Sequence, residues 1–554
     1  MKPEPRIRPT KYLHNWRDPA APRPAATILL VRDSVLGPEV LMTRRSMTAS
    51  FLPGAYVFPG GVLDEADGSP AARAVIASRI DQSPELLRFA TAAVREAFEE
   101  LGVLLARPAR AGVVVADAAQ RIPRDVGADF FGRATAEGVV LALDQTWWLS
   151  RWITDRDLPK RFDVHFFVAR MPEGQTAIAD ESEQFEPTWI LPAEALARHE
   201  RGEFNIIFPT IRTLRALTRY PDVDAILAHC RDNPGKWISC PRGGLVDGDV
   251  ARFSEDDLPF GELELVSPDG QVVHPVDWQH ERPVPLLRHV QRLTAPNPGR
   301  MTGPGTNTYI IGEPGSYLVI DPGPDEPEHI ARIAAIVGDG LQYIVCTHAH
   351  PDHAPGAKPL QQLTGAPILG RPTGPDFEPQ WAFVPDRVLE DGEALRCGDS
   401  TLRILHTPGH VSNHICLLLE EDGLLFSGDH ILSGSTTVIT PPDGSMRDYI
   451  AQLHRLAREP FEYILPAHGH VIAEAKREVA RLIAHRMARE AKVISALTTT
   501  AAPASLDELV MTAYDDVDEA IRPVAKRSLM AHLIKLREEG LAAQDGASWS
   551  LRNA

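Results

Sequence analysis

Thr347-His-Ala-His-Pro-Asp-His-Ala-Pro-Gly356 gathers His348, His350, Asp352 and His353 into six residues. The run before it, Leu341-Gln-Tyr-Ile-Val-Cys346, reads as a short buried strand. A strand that ends in a polar, Pro-containing turn carries these side chains on a loop at the edge of a sheet. Neutral imidazoles and a carboxylate gathered there are the donors that zinc or a similar borderline ion takes. A His-rich surface turn would account for one or two such residues. It does not account for this spacing with further candidates downstream.

Those candidates come in order. Thr407-Pro-Gly-His410, Ser427-Gly-Asp429 and Pro466-Ala-His-Gly469 each follow an apolar run, so a strand giving way to a donor-bearing turn recurs along the chain. With Asp321 closing Tyr317-Leu-Val-Ile-Asp-Pro-Gly323, the set resembles the metallo-β-lactamase superfamily of hydrolases, whose motifs are all present in order. The resemblance implies two metal ions, zinc or else manganese or iron. One would be held by His348, His350 and His410, the other by Asp352, His353 and His468, with Asp429 bridging them. It also implies Asp321 as an acceptor that orients the ligands. His470 stands close enough to His468 to compete. The family places a Gly directly after the ligand, as Gly469 is here, which favours His468.

The chain has 554 residues, room for several domains, and 44% hydrophobic content supports sizeable cores. A formal charge of −18 argues against general nucleic-acid binding, so a small-molecule substrate is the favoured partner. Cysteines 230, 240, 346, 397 and 416 show no C-x-x-C pairing, which suggests reduced thiols and a cytoplasmic location. No apolar leader and no run of about 18 apolar residues occurs, so no membrane association is expected.

Residues 1–24 are rich in Pro and Arg and are expected to form a surface extension without regular structure. Residues 26–31 and 39–43 read as strands around a turn. Arg95-Glu-Ala-Phe-Glu-Glu-Leu-Gly-Val103 predicts a helix with Glu96, Glu99 and Glu100 on one face. Carboxylates so close repel each other unless a divalent cation neutralises them, and oxygen ligands suit magnesium or manganese. A solvated acidic face is the alternative reading of the glutamates alone. Gly61, Arg95-Glu96, Glu99-Glu100 and Gly102 together resemble the Nudix box of nucleoside-diphosphate-linked hydrolases. Ser50-Phe-Leu-Pro-Gly54 with Phe58-Pro-Gly-Gly61 resembles the subgroup that cleaves coenzyme A and its acyl derivatives. Two departures stand out: an insertion before Arg95, and Asp67 where the box has Glu. By resemblance Arg95 positions the helix, Glu99 and Glu100 bind metal, and Glu96 assists as ligand or base.

The expected fold class is α/β and multidomain. A Nudix α/β/α sandwich would span 25–218, a connector 219–285, an αββα sandwich 286–490, and a winged-helix-like tail 491–554. In the tail, Ser505-Leu-Asp-Glu508 is a capping box opening a helix, residues 525–539 form a second helix, and Asp545-Gly546 turns a hairpin. With His485-Arg486 before it, this tail resembles the β-lactamase-like protein 2 group, whose characterised members include a single-strand-specific RNA endonuclease. Its charges balance at 12 basic and 12 acidic over 471–554, which favours a packing module over a nucleic-acid binder. Arg527 and Lys535, eight apart, fall on one side of the second helix as a small basic patch.

A pair of metals generates hydroxide at neutral pH and stabilises an oxyanion, whether at a thioester, a lactone or a phosphodiester. Only 38 residues separate Asp429 from His468, too few for the inserted domain of the superfamily's RNA-processing nucleases. True zinc β-lactamases carry Cys where Asp429 stands. Asp352 is the expected catalytic residue of this half, with Glu96 and Arg95 in the N-terminal half. The expected activity is hydrolysis of a thioester of the hydroxyacylglutathione or acyl-CoA kind, because the other half resembles coenzyme A pyrophosphatases. The alternatives are a single-strand endoribonuclease and a Nudix half that senses a ligand without cleaving it.

Overall fold

Alternation along the strand Arg23–Ser34 decides the architecture of the N-terminal unit. Ala26, Ile28 and Leu30 face one side, Leu29 and Val31 the other, and all five are buried. A central strand that is apolar on both faces must be covered on both. This computed structural model describes residues 7–49, 52–79, 81–125, 127–181, 184–500 and 503–552. In it, the helix Pro84–Leu101 covers the Ile28 side through Val94 and Phe98. Pro192–Glu200, Phe208–Leu217 and Val223–Asp232 cover the Leu29 side. The sheet between them runs Gln184–Ile190, Gly37–Arg45, Arg23–Ser34, Phe162–Arg170, Trp147–Ile153, Trp237–Ser239. An α/β/α sandwich results. Of the quoted Ser50–Gly54 motif, Ser50 and Phe51 lie outside the described residues.

The C-terminal unit is built on two sheets. One runs Val284–Leu287, Val290–Thr294, Asn307–Glu313, Ser316–Ile320, Leu341–Val345, Ile368–Gly370, Arg387–Val388. The other runs Ala394–Cys397, Ser400–His406, Ile415–Leu419, Leu424–Gly428, Tyr463–Pro466. Ile311, Leu318 and Ile320 meet Ile404, Leu417 and Phe426 in the core between them. Pro327–Val337 and Ala357–Thr364 cover the outer face of the first sheet; Met446–Leu456 and Ala475–Thr499 cover that of the second. The layers are α, β, β, α. A winged helix follows, with helices Leu506–Ala513 and Arg522–Glu538 and a three-stranded sheet packed around buried Trp549. Among the described residues no helix is long and apolar enough to cross a membrane.

Three sequence boundaries shift. The chain divides into Asp18–Pro241 and a second unit that joins residues up to Arg17 with Arg242 onward. The stretch expected as a connector, 219–285, is therefore split. The helix Val223–Asp232 and strand Trp237–Ser239 complete the N-terminal sandwich, whereas the hairpin Arg242–Val246/Asp249–Phe253 and the helix Phe260–Val266 belong to the C-terminal unit. Of the expected N-terminal extension, residues 1–6 lie outside the described residues, and residues 7–24 are not loose on the surface. Ile7 enters the inter-sheet core, Pro9–Lys11 makes a 3-10 turn, and Arg23 already begins a strand. The limit at 490 falls inside Ala475–Thr499, because Glu490 on that helix is buried against Lys535 (2.8 Å) and His532 (3.3 Å) of the winged helix. Lys535 is thus a buried partner of Glu490 and Glu539, so it makes no surface patch with exposed Arg527.

Arg8 shows why the first residues are held. Its Nη2 lies 2.7 Å from Asp422 Oδ2, and His289 Nε2 lies 2.9 Å from the same oxygen, on a carboxylate with 0% exposure. Burial alone would raise the Asp422 carboxyl; His289 and Arg8 outweigh it and hold the group well below the usual range. A depressed carboxyl stabilises the fold above its unfolded pKa and loses that contribution as pH falls. Arg8→Ala should therefore destabilise the protein by about 1–3 kcal/mol at pH 7, with a deficit that shrinks below about pH 4. Urea denaturation at the two pH values checks this.

Candidate metal centre

Four strands end at one edge of the αββα sandwich. Ser316–Ile320 delivers Asp321, Leu341–Val345 delivers the loop from Thr347, Leu424–Gly428 delivers Asp429, and Tyr463–Pro466 delivers His468. His410 follows the strand Ser400–His406.

The side chains fall into two groups. In the first, His348 Nε2 and His410 Nε2 lie 2.9 and 3.0 Å from His350 Nδ1. In the second, Asp352 Oδ2 lies 3.4 Å from His353 Nε2 and 3.3 Å from His468 Nε2. Asp429 faces both. Its Oδ1 is 3.4 Å from His353 Nε2 and 3.3 Å from His468 Nε2, and its Oδ2 is 3.7 Å from His410 Nε2. Donors bound at ~2.0–2.1 Å around a tetrahedral ion stand about 3.3 Å apart, close to the spacing of the second group. His353 Nε2, His468 Nε2 and Asp429 Oδ1 are moreover buried without a hydrogen-bond partner. Each such orphan costs about 1–3 kcal/mol, which a cation among them would offset. The donors fit a divalent ion of the zinc class.

The far nitrogens of four of these five rings have acceptors. His353 Nδ1 lies 2.9 Å from Asp321 Oδ2, His410 Nδ1 2.8 Å from the Val438 carbonyl, and His468 Nδ1 3.2 Å from the Gly305 carbonyl. His348 Nδ1 meets Thr347 Oγ1 at 3.0 Å, and that hydroxyl donates to Asp321 Oδ2 at 2.7 Å. A proton held on each far nitrogen leaves the near lone pair free for a metal. Burial keeps His348 well below its ordinary pKa and pushes His350 down to about 3, so both stay neutral. Burial would raise Asp352 and Asp429, but His353 and His468 outweigh it and hold both carboxyls below their usual range.

In the N-terminal unit, Arg95 is buried and paired bidentately with Asp67, at 2.8 and 3.1 Å. Asp67 therefore reaches the arginine despite being one methylene shorter than Glu. Arg95 Nη1 also donates to Glu96 (2.9 Å) and Glu99 (2.7 Å). Glu100 accepts from the Gly60 amide at 3.0 Å and from Gln184 at 2.9 Å. A Cβ on Gly61 would stand 2.5 Å from the Glu96 carboxylate, so the glycine leaves room for that carboxylate in its present position. Among the described residues, the helix glutamates do not gather into an ion-sized group as the C-terminal donors do. Arg95 supplies positive charge between Glu96 and Glu99.

The family model of the metallo-beta-lactamase superfamily matches residues 301–468, and that of the beta-lactamase associated winged helix domain matches 505–549. A beta-lactamase-like protein 2 homolog of Caenorhabditis elegans is 31% identical over 271 residues, 47% of this chain and 89% of that protein. The chain belongs to the metallo-beta-lactamase superfamily. It is a hydrolase of that type carrying the associated winged helix. An atrochrysone carboxyl ACP thioesterase of Cryptosporiopsis sp. (strain 8999) is 29% identical over 274 residues, 46% of this chain and 81% of that one. The crystal structure of a NUDIX hydrolase from Alicyclobacillus acidocaldarius matches at 28% identity and a TM-score of 0.34, over 38% of this chain and 96% of that chain.

Within this superfamily member, sequence reasoning passed over His414. Its Nε2 accepts from the Asp429 amide at 3.1 Å and its Nδ1 meets Thr407 Oγ1 at 2.8 Å, which steadies the turn that aims Asp429. The spacing of four from His410 was the available signal. His470, the competitor of His468, turns elsewhere: its Nδ1 lies 3.1 Å from Glu262 Oε2. Asp321→Ala removes the acceptor of His353 Nδ1, the Thr347 amide and the Thr347 hydroxyl together. The metal-free protein should lose about 3–5 kcal/mol, the range for breaking a buried pair by removing one partner, as read by urea denaturation.

Proposed function

We propose that the C-terminal unit is a di-metal thioester hydrolase. His348, His350 and His410 would hold one ion, Asp352, His353 and His468 the other, and Asp429 both. The observation that carries this reading is Asp429, whose two oxygens each face one donor group. Zinc is the preferred metal, with manganese or iron as substitutes. Two such ions supply Lewis acidity and a nucleophile at neutral pH. The chain's own residues set the rest. Hydrogen bonds from the far nitrogens fix the ring orientations, and Asp352, with 23% side-chain exposure against 0% for His353, is placed to take a proton from the attacking water. The choice of a thioester is supported by the thioesterase name of one relative and by the coenzyme A-like motif of the N-terminal unit. Acyl-CoA, hydroxyacylglutathione and acyl-carrier thioesters are the candidate substrates.

Purified full-length protein should carry two transition-metal ions per chain and hydrolyse a thioester. Asp429→Ala should lower that activity at least 100-fold, the upper reach of a ~10–100-fold effect for merely supporting residues. Cleavage of single-stranded RNA with steep salt dependence, and no thioester hydrolysis, would make the protein an endoribonuclease instead.

For the unit Asp18–Pro241 we propose a Nudix-type diphosphatase acting on a coenzyme A- or nucleotide-linked diphosphate, with magnesium or manganese held by Glu99 and Glu100 and assisted by Glu96. The Arg95–Asp67 pair and the seat of Glu96 against Gly61 support it. So does Glu99 Oε1, buried without a partner. Burial raises Glu96 to about 7 and Glu100 to about 8, so without a cation both hold protons near neutrality. A raised carboxyl pKa means that magnesium must displace a proton. Its affinity should therefore climb between about pH 6 and pH 9 and release protons, read by calorimetry in two buffers. Glu99→Gln should reduce cleavage of coenzyme A. Saturable nucleotide binding without cleavage would make this unit a sensor.

A further inference from the structure

Glu262 is the centre of a fully enclosed cluster outside the site just described. It stands in the short helix Phe260–Val266 and has 0% exposure. Its carboxylate accepts from four donors. Arg292 places both terminal nitrogens on it, His274 Nε2 lies 2.8 Å from Oε1, and His470 Nδ1 lies 3.1 Å from Oε2. Trp278 lies over the Arg292 guanidinium at 4.7 Å and against the His470 ring at 4.4 Å. Arg292 neutralises the carboxylate and is itself enclosed, so the cluster is closed on itself and leaves no place for a metal.

One of its four contacts reaches the metal centre. His470 is two residues from His468, on a turn whose other holds are visible. The Asn307 amide side chain donates to the carbonyls of Pro466 (3.0 Å) and Gly469 (2.9 Å), and the Asn307 backbone amide donates to Ala467 at 2.7 Å. Those bonds fix the start of the turn. Beyond Gly469, Ile472 is bridged to Ile464 by two backbone hydrogen bonds, and between them the turn rests on the Glu262 helix: His470 is hydrogen-bonded to Glu262, and Gly261 lies so close that a Cβ there would stand 2.1 Å from the Val471 carbonyl. A carboxylate accepts along two oxygens in a fixed plane, so it sets the direction of the His470 ring as well as its distance.

We propose that Glu262, through His470, is a positioning residue for the His468 imidazole, and that the segment 242–285 is therefore a working part of the metal centre. The inference rests on the assignment of His468 as a ligand. It leads to a difference between the two ion sites: the one served by His468 depends on Glu262, and the one served by His348, His350 and His410 does not. It also separates two histidines that share one carboxylate. His470 leads to a ligand. His274 leads to the hairpin at Leu245, whose amide its carbonyl accepts.

The test uses full-length protein, with zinc content and affinity measured by chelator competition and with the visible spectrum of the cobalt-substituted form. His470→Leu keeps the bulk but removes the donor, and Glu262 retains Arg292 and His274. One ion should bind as in wild type, and the other should bind at least about tenfold more weakly, with a changed cobalt spectrum. His470→Gln, which can still donate to Glu262, should restore most of that affinity. His274→Leu should lower thermal stability yet leave both ions bound as in wild type. If His470→Leu does not fold, Gly261→Ala presses on the same turn at Val471 without touching a charge and should weaken the same ion. Two ions bound with wild-type affinity in His470→Leu, or equal loss of affinity in His274→Leu, overturns the proposal. A wild-type protein that binds no metal overturns the metal reading itself and this inference with it.

Discussion

The metal centre depends on one buried carboxylate. Asp321 has a backbone φ of +48°, a conformation that non-glycine residues adopt at a cost, and it is almost wholly buried. Strain and desolvation together would make it a poor residue to place at a strand end. They are offset because its two oxygens accept from the Thr347 amide, the Thr347 hydroxyl and His353 Nδ1. Through Thr347 the same carboxylate also steadies His348. One side chain on the strand Ser316–Ile320 thus orients residues on the loop after the neighbouring strand Leu341–Val345, and two histidines in different donor groups are set by it.

The same device ties distant parts of the chain together elsewhere in this unit. Asp422 binds Arg8 and His289, Glu262 binds Arg292, His274 and His470, and Glu490 binds Lys535 and His532. In each case a buried acid is matched by cations or imidazoles from segments far away in sequence. Such clusters add little net stability, since desolvation consumes most of the Coulomb energy. Removing one member is costly, however, so they specify which segments must meet. An overall charge of −18 does not prevent this, because Arg8, Arg292 and Lys535 are placed beside the enclosed acids. That placement also explains why the winged helix lacks the basic patch its sequence suggested: Lys535 is committed to Glu490.

The N-terminal unit solves a similar problem with less symmetry. Glu96, Glu99 and Glu100 lie on a helix whose apolar face enters the core, so their carboxyls are partly desolvated and their pKa values rise. Arg95 relieves Glu96 and Glu99, while a backbone amide and Gln184 relieve Glu100. The glutamates are thereby divided between two kinds of partner.

Much of this was legible in the chain itself. Period-two apolar runs marked the strands, and polar turns at their ends marked His348, His350, Asp352, His353, His410, Asp429 and His468, because donor spacing and strand ends are local properties. The helix carrying Arg95 and the capping box at Ser505 were local too. The Gly469 that follows His468 already favoured it over His470, and tertiary structure adds that His468 faces Asp352 and Asp429 whereas His470 turns to Glu262. Tertiary structure alone placed Glu262, Arg292, His414 and Arg8 in their roles. Each acts through a partner on another segment, up to 414 residues away for Arg8, and no local pattern carries that information. The split of 219–285 between the two units was likewise invisible, because which sheet a short strand joins depends on the edge it meets in the folded molecule and not on its own residues.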